Sequence, residues 1–326
     1  MIKIQVHDIA PHGGCSYYRG IGPLSKLKNN IFIEYNDQIG WHKIVDTDIV
    51  FFERPSDWGY RDGIQYCKDF GIKVWIDIDD LLHGIPKTNP SYIHFGKEET
   101  QKCIEQCLSL ADVVTVATKD LKIFYEKFNS NIHVIPNAHN DYNYPWKLIE
   151  NHNPFVNWRG SNTHRKDLLS IANQLISISK KYQSWYFSFL GDDTWYVAEH
   201  INNPYCQPES DLISYFNLLK SLLPAIHIIP LIDNDFNRAK SNCSWIEGTY
   251  AGAAVIAPDF SEFRRPGITN YKDATDFGNK LELLMNDESL RQKLYTQSFE
   301  YIRDNLLLSK INEKRLKIIK DLLLKK

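Results

Sequence analysis

The alternation of short apolar runs with helical stretches constrains this chain more than any other feature. Runs with strand character recur at Ile2–Val6, Ile31–Tyr35, Ile49–Phe52, Ile72–Ile76, Val113–Val116 and Ile132–Ile135. They recur again at Phe155–Trp158, Trp185–Leu190, Ile226–Ile229 and Ala254–Ala257. Helical spacing lies between many of them: from about Ser16, over Lys97–Leu110, Leu121–Phe128, Lys166–Lys181, Asp211–Leu222 and Lys240–Tyr250. Strands fed by helices in this way build parallel sheets with helices on both faces. The pattern breaks once, in the polar, Pro- and Asn-rich stretch from Pro136 to Pro154. A chain of 326 residues is long enough for two cores. We therefore expect two α/β units of doubly wound, Rossmann-like parallel sheet, at 1–150 and 151–326, with a linker between them.

Function classes narrow from what is missing. The formal charge is −2, so the total gives no sign of a basic nucleic-acid binder. No apolar run has the length of a membrane span, and the opening MIKIQVHDIA reads as a strand. The six cysteines form no CxxC pair, and Cys103 and Cys107 share a helical spacing that suits packing. A reducing, cytoplasmic setting is the expectation. The last helix, roughly Ser309–Lys326, alternates Leu and Ile with Lys. That amphipathic pattern fits docking back onto the protein or lying on a membrane surface, and docking is the expectation.

In open parallel sheets ligands bind beyond the carboxyl ends of the strands, so the residues after each strand carry the chemistry. After the first run come His12, Gly13, Gly14 and Cys15, then Tyr18 and Arg19. Paired glycines let backbone amides approach an anion, but GxGxxG is absent. After Ile226–Ile229 comes the densest polar segment, Pro230 to Ser241, with Asp233, Asp235, Asn237, Lys240 and Ser241. Lys240 and Ser241 at a helix start would suit a diphosphate, and Glu247, nearly two turns on, would suit the hydroxyls of a ribose. An ordinary salt-bridged helix fits those residues equally well.

Asp233 to Pro258 resembles the donor-binding segment of family-4-type retaining glycosyltransferases, with Glu247 through Ala257 in the place of the ribose-binding helix and following strand. The likeness extends to Ala111–Thr118, to Val134–Asn137, and to Asn157-Trp158-Arg159-Gly160-Ser161-Asn162-Thr163-His164 with Asp167. It implies a GT-B fold, two such domains facing a cleft. It also implies no bound metal, no tightly bound cofactor, and a nucleotide-sugar cosubstrate, UDP-linked by expectation. The donor set it implies is Gly13, Gly14, Arg159, Gly160, Ser161, Lys166, Asp233, Asn237, Lys240, Ser241 and Glu247. Lys240, Arg165 and Asp79 are the expected catalytic groups. Arg165 and Lys166 read as surface charges just as well. The family's second glutamate, eight residues before the ribose-binding one, is Ala239 here, which leaves the sugar contacts to Asp233, Asp235 or Asn237.

The expected acceptor side gathers His12, Tyr18, Arg19, Glu53, Arg54, Asp79 and Asp80. Asp77-Ile78-Asp79-Asp80 has the look of a metal motif, yet its carboxylates alone do not choose between a metal, a structural and an acceptor role. The Gly13–Arg19 segment and this acidic turn resemble bacteriophage-encoded glycosyltransferases. That likeness implies hydroxymethylated pyrimidine in DNA as acceptor and the host cytoplasm as setting, with His12, Arg19, Arg54 and Arg61 as the basic groups. A surface polysaccharide, a catalytically silent sugar-nucleotide-binding module and a sugar-nucleotide epimerase are the alternatives.

Overall fold

A computed structural model describes residues 1–7, 13–28, 31–35, 44, 46–192 and 194–324. The chain divides into two compact units. The first comprises Met1–Tyr144, Ala239–Ser241 and Leu306–Lys326, and the second Pro145–Arg238 and Asn242–Asn305. Among the described residues each unit is built on one six-stranded sheet whose paired strands all run parallel.

The first sheet holds β1 (Ile2–His7), β2 (Ile31–Tyr35), β3 (Ile49–Glu53), β4 (Lys73–Ile78), β5 (Val113–Val116) and β6 (Ile132–Val134), in the order β2-β1-β3-β4-β5-β6. The second holds β7 (Asn153–Arg159), β8 (Tyr186–Leu190), β9 (Pro204–Gln207), β10 (Pro224–Ile228), β11 (Ala254–Pro258) and β12 (Ile268–Tyr271), in the order β12-β11-β10-β7-β8-β9. Strand order reverses between β1 and β3 in one sheet and between β7 and β10 in the other. Loops leaving neighbouring strands diverge at such a point and leave a crevice at the strands' carboxyl ends.

Burial follows position in the sheet. All five residues of β3, β10 and β11 are buried, as expected of strands covered on both faces by helices. Edge strands are less covered: β9 alternates exposed with half-buried residues, and β2 has only exposed or half-buried ones. β9 and β12 were not expected from the sequence, because short edge strands carry little apolar signal.

The helix Leu308–Leu324 belongs to the first unit. Its buried residues, Leu308, Ile311, Asn312, Arg315, Ile318, Ile319 and Leu322, recur at helical spacing and form the face it lays against that unit. The backbone of His139 exchanges hydrogen bonds with Leu306 (2.9 Å) and Leu308 (2.8 Å) at its start. The Asp141 carboxylate accepts from both the amide (3.0 Å) and hydroxyl (2.6 Å) of Ser309, a favourable charge at a helix N-terminus. Among the described residues no helix is long and apolar enough to cross a membrane.

Candidate functional site

The crevice of the second sheet lies where β7 and β10 end. Arg159, the last residue of β7, stands 2.6 Å from Glu247 through Nε and Oε2, in an ion pair not aligned as a hydrogen bond. Glu247 rides on the helix Cys243–Tyr250, which follows β10, and is 4% exposed. Tyr215, on the helix Leu212–Leu222, donates its hydroxyl to the same Oε2 at 2.9 Å. Burial, reinforced by the Glu247 charge, holds the Tyr215 phenol well above its usual pKa, so it stays a neutral donor.

Behind this trio runs a buried polar line. Ser188 on β8 donates to Asn157 Oδ1 (2.7 Å), the Asn157 amide meets His227 Nδ1 (2.8 Å), and His227 Nε2 meets Ser244 Oγ (2.8 Å). His227 is fully buried in β10, and burial followed by the Arg159 charge lowers its pKa to about 3. It is therefore a neutral imidazole. A Cβ at Gly248 would come within 2.7 Å of the His227 ring, so glycine lets the Glu247 helix close onto the strand. The residues just past the ends of the neighbouring strands β7 and β8 are also closely packed. Gly191 sits at φ +134°, and a Cβ there would meet the Gly160 carbonyl oxygen at 1.7 Å.

The helix carrying Glu247 begins at Cys243, three residues later than the sequence spacing predicts. Asn242 occupies its N-cap position, is 1% exposed, and neither atom of its carboxamide has a hydrogen-bond partner among the described residues. Ala239–Ser241 is not helical and belongs to the first unit. Lys240 is therefore not at the helix start. Its Nζ lies 3.0 and 3.2 Å from the two carboxylate oxygens of Asp80. Ser241 Oγ accepts from Asn137 (2.9 Å), and Thr118 donates to the Ala239 carbonyl (3.1 Å). Ala239 itself is buried.

The remaining expected donor residues separate into buried and exposed ones. Asn237 is buried and donates to Asp167 (2.9 Å) and to the Ile232 carbonyl (2.9 Å). Asp167 also accepts from the Ile232 amide (2.9 Å) and pairs with His164 (2.9 Å). Asp233, by contrast, is exposed and holds Arg238 in a surface ion pair. Ser161 bonds Thr163 (2.7 Å), Arg165 lies over the Tyr196 ring at 4.5 Å, and Lys166 is exposed.

The first unit collects its charges at the carboxyl ends of β3 and β4. Arg19 is 1% exposed and makes a two-pronged pair with Asp77, at 2.8 and 2.7 Å. It also donates to the Ile135 carbonyl (2.5 Å) and to Asn137 (3.0 Å). Asp77 accepts in addition from Thr115, which accepts in turn from Trp75. Arg54, at a left-handed φ of 47°, pairs with Asp79 and, more distantly, with Asp80. Burial would raise the Asp79 pKa, but the Arg54 guanidinium, with help from Arg19 and Lys240, holds it below the usual carboxylate range. Arg19, Arg54 and Lys240 thus meet the charges of the acidic turn. Glu53 is buried at the end of β3, and Tyr18 is buried as well. Cys15 lies in the field of Asp79, Arg54, Glu53 and Asp80, and its thiol is pushed up first by burial. Gly13 caps the short helix Gly14–Tyr18, and a Cβ at Gly14 would meet nothing within 4 Å, so the fold itself does not demand glycine there. His12 lies outside the described residues.

Solved structures share this architecture over the whole chain. A sucrose-phosphate synthase from Thermosynechococcus elongatus superimposes with a TM-score of 0.72 at 13% identity, covering 100% of both chains. Anabaena Alr3699/HepE, solved in complex with UDP and glucose, gives 0.68 at 12% identity, covering 98% of this chain and 100% of its own. A glycosyltransferase from Rickettsia africae gives 0.67 at 16% identity, covering 99% and 98%. The fold is GT-B. No protein-family model and no curated protein matches the sequence. At such identities the GT-B likeness speaks for architecture, and function has to be argued from the site.

Tyr215, His227 and Ser244 escaped the sequence reading, and Asn157 entered it only as part of the segment beginning the second unit's resemblance. Only His227 carried a signal, as a lone histidine inside a buried apolar strand.

Proposed function

We propose that this chain is a glycosyltransferase that binds a UDP-linked sugar at the carboxyl end of its second sheet. The observation that carries the reading is the Arg159–Glu247–Tyr215 cluster at the β7/β10 crevice. A carboxylate held by a phenol at a helix beside a strand-end arginine presents acceptors for the two ribose hydroxyls and a cation for the diphosphate. The sequence resemblance and the UDP found in Anabaena HepE support the same assignment.

In the reaction so proposed, the bond from the sugar's anomeric carbon to the diphosphate breaks as the acceptor oxygen bonds to that carbon. The acceptor's proton passes to the departing phosphate, and the configuration is retained. Arg159 offsets the charge that grows on the leaving group. For the acceptor, the pairing of Arg19 with Asp77 and of Arg54 with Asp79 commits two of the cations expected to meet DNA phosphates. That favours a polysaccharide hydroxyl over hydroxymethylated DNA.

The test is thermal unfolding of the wild type and Glu247→Ala with a panel of nucleoside diphosphates. UDP at 100 times its Kd should stabilise the wild type by about 2.7 kcal/mol and leave the variant unmoved. A panel that stabilises neither protein refutes the donor site. Product analysis with UDP-sugars then separates transfer from epimerisation or silent binding.

A further inference from the structure

The buried line behind the ribose-binding cluster has a direction. Ser188 is 1% exposed, and its hydroxyl has Asn157 as its only hydrogen-bond partner among the described residues. A buried hydroxyl proton left unspent is costly, so it goes to Asn157 Oδ1. That turns the amide nitrogen of Asn157 toward His227 Nδ1, which has to accept. The one proton of the neutral imidazole then sits on Nε2 and is given to Ser244 Oγ. Ser244 receives there, so its own proton is still to be placed.

Ser244 is half-buried in the first turn of the Glu247 helix, one turn before the carboxylate, and among the described residues its side chain has His227 as its only hydrogen-bond partner. Asn242, just before it, keeps an unpartnered carboxamide although 99% of its surface is covered. Two polar side chains at one helix start, one with a committed acceptor and an unspent proton, the other unsatisfied, suit an anion beside Arg159.

We propose that the Ser188–Asn157–His227 line fixes Ser244 as a hydrogen-bond donor to a phosphate oxygen of the bound nucleoside diphosphate, with His227 the positioning residue. This deepens the donor-site reading above and rests on it. A serine without the line behind it has a rotor free to point either way. With His227 donating to one lone pair of its oxygen, the hydroxyl proton is turned away from the imidazole and is left for an acceptor such as a phosphate oxygen.

The experiment compares binding of uridine and of UDP to the wild type, Ser244→Ala, Ser244→Thr, His227→Phe and the double variant His227→Phe/Ser244→Ala. Ser244→Ala should weaken UDP by about tenfold, as expected for one hydrogen bond to a charged group, and leave uridine unchanged. Ser244→Thr, which keeps the hydroxyl, should restore most of the UDP affinity. His227→Phe should reproduce the selective loss, and the double variant should lose no more than either single one. A purely structural histidine would weaken uridine and UDP alike, and its loss would multiply with that of Ser244→Ala; either result overturns the positioning role. If His227→Phe does not fold, the serine pair decides. UDP affinity within twofold of wild type in Ser244→Ala overturns the proposal even where Glu247→Ala abolishes binding, which would leave the donor site standing. A wild type that binds no UDP overturns both.

Discussion

The two sheets end in charged clusters of opposite construction. In the first unit, full charges face full charges in depth: the Arg19 and Asp77 side chains are 0% and 3% exposed, with Arg54 and Lys240 set against Asp79 and Asp80 nearby. In the second unit a single ion pair, Arg159–Glu247, stands in front of neutral groups: a phenol, an imidazole, an amide and two hydroxyls. A closed set of ion pairs holds strand ends and loops in register, and breaking one leaves an uncompensated buried charge. A pair backed by neutral groups can exchange its partner for a ligand without stranding a further buried charge. Under the proposed donor site, the first cluster keeps structure and the second binds.

Arg19→Leu is the severest test. It strands Asp77 in the interior and should destabilise the first unit by about 3–5 kcal/mol in guanidinium unfolding. Arg159→Leu, at a side chain 27% exposed, should cost less stability while removing UDP binding. Equal losses of stability would erase the contrast.

Acid should separate the units next. Burial lowers the pKa of His7 and of His139, in the first unit, to about 4, and that of His227, in the second, to about 3, all from 6.5. The native state then binds fewer protons than the unfolded chain. This contribution is whole above pH 6.5 and is lost as pH falls toward the folded values, by about 1.4 kcal/mol per pH unit for each histidine. Burial lowers His83 in the first unit and His152 in the second as well, so with three such histidines against two among the described residues the first unit's transition should fall more steeply than the second's between pH 6.5 and 4. Parallel slopes would mean that the buried imidazoles are not neutral as described.

The smallest effect belongs to Asp233. Its pair with Arg238 is exposed on both sides, so Asp233→Ala should shift neither the unfolding midpoint nor UDP affinity. A loss of affinity would restore it to the donor site.

What the sequence revealed divides along the same physical lines. Buried parallel strands such as β3, with its run Ile49–Phe52, and Ala254–Pro258 are carried by apolar runs, so most of both sheets was legible. Edge strands β9 and β12 were not, for want of such runs. Nor were contacts made by long-range folding. Tyr215 reaches Glu247 across 32 residues and Asn157 reaches His227 across 70, separations that no local pattern records. Lys240 looked like part of a helix because the polar run continues into one. Its Asp80 partner, 160 residues away, was invisible. Arg19 looked like a surface cation for the same reason, and the fold uses it as the mate of Asp77.

The placement of Leu306–Lys326 in the first unit has a consequence for biosynthesis. A chain emerging from the ribosome exposes the first unit's sheet before the second unit is made, yet the helix whose Ile311, Ile318 and Leu322 cover that first unit is made after the second. The second unit, made of Pro145–Arg238 and Asn242–Asn305, needs nothing beyond Asn305. It is thus the later-made half that can finish first, while the earlier half keeps an uncovered apolar face until Leu308–Leu324 has been made.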